Sequence, residues 1–124
     1  MKRQIKRKPQ AMHEMSLAEG IVQLIEDSAA KNAFTRVKTV WLEIGQLAGV
    51  EVEAMRFCFD AVTRGGLAEG AQLKIEQTPG RGWCLDCSRE IAVAARYEPC
   101  LHCGGYRVTV SGGTEMRVRE LEVE

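Results

Sequence analysis

Two Cys-x-x-Cys pairs, Cys84-Leu-Asp-Cys87 and Cys100-Leu-His-Cys103, stand twelve residues apart and constrain this chain more than any other feature. A two-residue gap lets each pair turn back on itself and aim both sulfurs at one point, so the pairs can hold one tetrahedral metal through four thiolates. A short hairpin bridges the interval, and Gly104-Gly105 follows the second pair. Zinc is the expected occupant, with iron an open alternative for the same geometry. Four thiolates leave no coordination position for water, which points to a structural rather than a catalytic metal. His102, between Cys100 and Cys103, is then a solvent-facing knuckle residue.

A length of 124 residues allows about one domain with a metal-held appendage. No apolar run approaches the roughly 18 residues of a membrane helix, and the N-terminus lacks the apolar core of a secretory signal. A cytoplasmic location follows, where thiols stay reduced and paired cysteines favour metal over disulfide. The formal net charge of zero is uneven. Residues 1–11 carry Lys2, Arg3, Lys6, Arg7 and Lys8 without an acid, leaving 12 basic against 17 acidic residues in the rest. An acidic body argues against nucleic-acid binding, which needs clustered positive charge.

Residues 1–11 are expected to be a disordered basic extension. Ser16 and Glu19 have capping-box spacing and predict a helix start there. Leu17, Ile21, Leu24, Ile25 and Ser28 trace its face, and its end falls near Asn32. On this reading His13 and Glu14 lie ahead of the helix. Residues 36–44 read as a strand, with Val40, Leu42 and Ile44 on one face. A second helix is expected over residues 51–64, with Val52, Met55, Phe59 and Val62 inward, Phe57, Cys58 and Ala61 widening the apolar surface, and Gly65-Gly66 ending it. Strands are expected over residues 71–77, 91–95, 106–110 and 114–123. In the last, Met116 and Val118 have one parity and Leu121 and Val123 the other, so a β-bulge near Arg119-Glu120 is needed to bring them to one face. The order predicts an α+β fold: two helices packed on a small β-sheet, with an inserted zinc-ribbon module.

The sequence holds no P-loop, dinucleotide fingerprint, Gly-x-Ser-x-Gly or His-Glu-x-x-His motif, and only two histidines, so no catalytic residues are assigned and an enzyme is not expected. His13 is the residue with chemistry to spare. If translation begins at Met12, an α-amine, a backbone amide and an imidazole can close fused chelate rings around one ion. Mostly-nitrogen planar coordination favours Ni(II) or Cu(II) over zinc.

With that, the chain resembles the hydrogenase nickel-incorporation proteins of the HypA/HybF family. Met12-His13-Glu14-Met15-Ser16-Leu17, Val40-Trp41-Leu42-Glu43-Ile44-Gly45, Val50-Glu51, Phe57-Cys58-Phe59-Asp60, Ala68-Glu69-Gly70, both cysteine pairs and residues 118–124 carry the resemblance, which spans residues 12–124. It implies a nickel metallochaperone that helps load the large subunit of [NiFe]-hydrogenase together with a separate HypB-like GTPase, as a monomer or homodimer. The nickel ligands it implies are Met12, His13 and Glu14, with Glu51 a weaker candidate; the zinc ligands are Cys84, Cys87, Cys100 and Cys103. Residues 12–79 and 109–124 then form the nickel-binding α+β domain, and residues 80–108 the zinc-ribbon domain. The departure lies at residues 1–11, because the amine that can bind nickel in the family is here the amide joining Ala11 to Met12. A start at Met12 is the expectation that restores it; a leftover leader, or a site with fewer N-terminal donors, are the alternatives. Two readings from other classes stand beside this one. One is a zinc-ribbon interaction module binding nucleic acid or a larger protein assembly; the other is a redox protein with an iron–thiolate or dithiol centre.

Overall fold

A computed structural model describes the backbone of residues 7–124 and the side chains from His13 onward. Helix α1 spans Arg7–Asn32, β1 Val37–Gly45, α2 Val52–Val62, β2 Gln72–Thr78, β3 Arg81–Cys84, β4 Arg89–Ala92, β5 Val108–Gly112 and β6 Met116–Val123.

The first helix starts nine residues earlier than the Ser16 capping box predicts. Residues 10–19 contain neither Gly nor Pro and include Ala11, Met12, Glu14 and Met15, all good helix formers. Pro9 falls in the first turn, where its missing N–H costs nothing. A capping box marks a start only if the chain leaves the helix there, and here it does not. Ser16 and Glu19 are simply exposed positions in mid-helix. His13 and Glu14 therefore sit inside α1 rather than ahead of it, and residues 7–11 of the expected disordered extension are helical; residues 1–6 lie outside the described residues.

The buried stripe of α1 is Glu14, Ala18, Ile21, Ile25 and Ala29, spaced at three and four residues. It is rotated from the expected face, so Leu24 is 47% exposed. Ala33, at φ 58°, ends the helix in the left-handed conformation, with its N–H returning to the Ala29 carbonyl at 2.8 Å. Helices α1 and α2 pack together. In α2 the inward residues are Met55, Cys58 and Phe59, whereas Phe57 points outward and is 74% exposed. Thr63 caps the C-terminus, its N–H and hydroxyl both donating to the Phe59 carbonyl.

The first sheet has the order β2-β1-β6. Arg36 and Glu124 exchange both backbone hydrogen bonds (3.3 and 2.8 Å), and Gly45 N–H donates to Glu115 at the far end, so β6 runs antiparallel to β1. Val37 donates to Leu67 and Gln46 to Thr78, partners that advance together, so β2 runs parallel to β1 and α2 is their crossover. Central β1 is accordingly the most buried strand, with Val37, Val40, Leu42 and Ile44 in the core. In β6 Met116, Val118 and Leu121 are half-buried while Arg119 and Glu120 are both exposed, the break in alternation expected at that point; Val123 is exposed. The second sheet, β4-β3-β5, is antiparallel throughout and lies in the chain between β2 and β6. The fold is α+β, two helices with a small sheet and an inserted ribbon.

The chain divides into two compact units. The first comprises the chain up to Trp41, Val50–Lys74 and Val118–Glu124; the second comprises Leu42–Gly49 and Ile75–Arg117. Within the second unit three glycines let separate segments cross without side chains. A Cβ on Gly45 would strike the Gly113 carbonyl, and one on Gly80 would strike the Val93 carbonyl. Gly113 is at φ +77°, and a Cβ there would meet the Gly80 Cα at 2.7 Å. Leu47 seals the crossing, its N–H donating to Gly113 at 2.8 Å and its side chain joining the ribbon core.

Gly113→Ala should therefore destabilise the protein by about 3 kcal/mol in denaturant unfolding, combining backbone strain with a backbone clash. Gly49→Ala, at φ +75° with open space around it, should cost only about 1–2 kcal/mol. Equal losses at the two positions would contradict the crossing as the reason for Gly113.

Candidate metal centres

The ribbon builds the first centre. Cys84 ends β3, Cys87 follows after the turn, and Cys100 and Cys103 form a second knuckle before β5. All four sulfurs lie within 4.8 Å of one another, with Cys84–Cys103 at 3.7 Å and Cys87–Cys100 at 3.8 Å. A disulfide would bring two sulfurs to about 2.05 Å. A tetrahedron with metal–sulfur bonds of about 2.3 Å has sulfur–sulfur edges of about 3.8 Å. The spacing fits a shared cation and does not fit a cystine.

Each knuckle turns its backbone toward the sulfurs. The N–H of Cys87 points at Cys84 Sγ, that of His102 at Cys100 Sγ and that of Gly105 at Cys103 Sγ, each at 3.4 Å. A Cβ on Gly105 would come within 2.5 Å of Asp86 Oδ2, so a larger residue there would require the Asp86 carboxylate to shift. Thiol acidities are split by the crowding. Backbone donors, first at Cys103 and also at His102, pull Cys100 down to about 7, whereas contact with Cys103 and burial push Cys87 up to about 12. One sulfur ionises readily and another scarcely at all, so a bound cation would be needed for all four to be thiolates at neutral pH. Cys84 and Cys100 also sit in the apolar cluster of Leu47, Ile91 and Val93, so the centre and the ribbon core are one structure.

Of the arginines near the knuckles, Arg107 is bound to Asp86 (Nε–Oδ1 3.0 Å), and both Asp86 and Cys84 hold its guanidinium in the charged form. Arg81 is committed to Glu90 through two bonds of 2.7 and 3.2 Å. Arg89 meets the Nε2 of exposed His102 at 3.2 Å.

The second group lies on α1. His13 is half-exposed and Glu14 wholly buried, with His13 Nδ1 3.9 Å from Glu14 Oε2. Oε2 also accepts the Glu51 N–H at 2.8 Å, at the start of α2. Glu14 Oε1 is buried and has no hydrogen-bond partner among the described residues. Cys58 on α2 is near enough that Glu14 adds to the effect of burial in pushing its thiol up. The Glu51 side chain turns the other way and accepts the Ala54 N–H at 2.8 Å, capping α2. The side chain of Met12 lies outside the described side chains. Sequence reasoning missed the burial of Glu14 because it started the helix at Ser16. Extending the stripe Ala29, Ile25, Ile21, Ala18 by one more step of four would have found it.

The family model for hydrogenase/urease nickel incorporation, metallochaperone, HypA matches residues 12–123. The chain belongs to the HypA family. It is 64% identical over 113 residues to the hydrogenase maturation factor HypA of Azotobacter chroococcum mcd 1, spanning 91% of this chain and all of the relative. It is 60% identical to that of Azotobacter vinelandii over the same length. Among solved structures it resembles the solution structure of the Ni metallochaperone HypA from Helicobacter pylori at 27% identity and a TM-score of 0.64, covering 89% of this chain and 96% of that one. A HypA chain is a maturation factor for nickel incorporation, not an enzyme. Among the described residues no helix is long and apolar enough to cross a membrane.

Cys84→Ser should remove the ribbon's metal, with metal content falling from one equivalent per chain towards zero. The melting temperature should drop by roughly 10 °C or more. Full metal content at an unchanged melting temperature would contradict a fold-bearing site.

Proposed function

We propose that this HypA chain carries Ni(II) at a site built around Met12, His13 and Glu14 and passes it to the large subunit of [NiFe]-hydrogenase, while zinc bound by Cys84, Cys87, Cys100 and Cys103 holds the ribbon. The observation that carries the nickel reading is the buried Glu14 carboxylate, whose Oε2 lies 3.9 Å from His13 Nδ1 and whose Oε1 has no hydrogen-bond partner among the described residues. A buried carboxylate oxygen without a partner is costly, and a cation is one of the few groups that removes that cost. An imidazole and a carboxylate are also the mixed donors expected for Ni(II). The ribbon is proposed as the zinc site because four thiolates match zinc's preference and complete its coordination.

Two side chains at adjacent helical positions point about 100° apart, so they need further donors to enclose an ion. Within a helix each backbone N–H is committed to the carbonyl four residues back; only the first four are free. In a chain beginning at Met12 these four nitrogens are the α-amine of Met12 and the amides of His13, Glu14 and Met15. In a chain retaining residues 1–11 the start of α1 must unwind before those amides can bind. A chain beginning at Met12 should therefore bind nickel more tightly than one with residues 1–11.

The proposed partners are the hydrogenase large subunit as recipient and a HypB-like GTPase, in the cytoplasm, since this sequence has no nucleotide-binding motif of its own. Release suits a site with exposed His13, whose ring another protein can displace first.

His13→Ala should weaken nickel binding at least tenfold by calorimetric titration, while zinc content and far-UV circular dichroism stay unchanged. An unchanged nickel affinity in that variant would remove His13 from the site.

A further inference from the structure

The start of α2 is held by two carboxylates at once. Glu14, from α1, accepts the N–H of the N-cap residue Glu51 at 2.8 Å, and the Glu51 side chain accepts the N–H of Ala54 at 2.8 Å. Glu51 itself has the extended backbone of an N-cap, φ −86° and ψ 118°. Both negative charges face the positive end of the helix dipole, where anions are favoured. Glu14 is fully buried, yet among the described residues its second oxygen has no partner. One carboxylate thus has an oxygen tied to α2 and an oxygen left for something else.

From this arrangement we propose that nickel loading at His13–Glu14 competes with the capping of α2, and that Glu51 serves as the cap rather than as a nickel ligand. This rests on the reading of His13–Glu14 as the nickel site. A divalent cation on the free Glu14 oxygen reverses the local charge beside the α2 N-terminus, which the dipole opposes. It also draws electron density from the carboxylate and weakens Oε2 as an acceptor for the Glu51 N–H. The first turn of α2 loosens as the metal enters. Linkage makes the effect mutual: whatever loosens the cap favours the metal. Phe57, in the second turn of the same helix and exposed, lies on the element that responds.

A charge-matched pair of variants gives the sign. Glu51→Ala and Glu51→Ser both remove the carboxylate, but serine restores a cap and alanine does not. Glu51→Ala should bind Ni(II) two- to fivefold more tightly than Glu51→Ser in calorimetric titrations at equal ionic strength. If serine binds equally or more tightly, the competition is overturned. Should the alanine variant fail to fold, hydrogen–deuterium exchange on the unaltered protein carries the test. One equivalent of Ni(II) should speed exchange of the Glu51, Ala54 and Met55 amides at least threefold and leave ribbon peptides unchanged. Nickel binding with no change at these amides overturns the coupling but leaves the site intact. No nickel binding in the unaltered protein overturns the site itself, and the coupling with it.

Discussion

A buried carboxylate joins the two helices of this protein. Glu14 occupies the first position of the α1 stripe that continues through Ala18, Ile21, Ile25 and Ala29, where an apolar residue would serve stability better. Burying a charged group costs several kcal/mol unless it is well paired. Glu14 recovers part of that cost through the Glu51 N–H and the α2 dipole, and part is left uncovered at Oε1. The unmet part is what the proposed nickel site would use. A core that specified only a fold would have no reason to leave it.

The ribbon solves a different problem with a similar device. Its three strands are short, and its apolar cluster of Leu47, Ile91 and Val93 is too small to order the knuckles by burial alone. Four crowded sulfurs with conflicting acidities would be favourable around a cation, and metal affinity would then become folding free energy. The sites also differ in kind. The cysteine site is closed, complete and threaded into a core, as a permanent structural metal requires. The proposed His13 site is half-exposed and built on one helix, as a metal meant to leave would require.

Much of this was legible in the residues. The two cysteine pairs gave the ribbon, and the order of apolar patterns gave the α+β fold with the ribbon inserted between β2 and β6. The phase break at Arg119 and Glu120 was visible in the alternation of β6. Three things were not. The α1 start was hidden because Ser16 and Glu19 imitate a cap, and local spacing does not reveal whether the chain has already entered the helix. The exposure of Phe57 was hidden because an apolar residue at the margin of a stripe can turn either way, and only packing decides. The role of Gly45, Gly80 and Gly113 was hidden because they act through a backbone crossing between segments distant in sequence. For the candidate nickel site, the resemblance supplied His13 and Glu14, but the burial that gives Glu14 its chemistry appeared only in the fold.

The most direct test of the account is the X-ray absorption spectrum of nickel in protein whose ribbon already holds zinc. The account predicts a first shell of nitrogen and oxygen only, with the outer-shell scattering of an imidazole and no nickel–sulfur contribution. A nickel–sulfur shell near 2.2–2.3 Å, the range of metal–thiolate bonds, would place nickel on cysteines and contradict it.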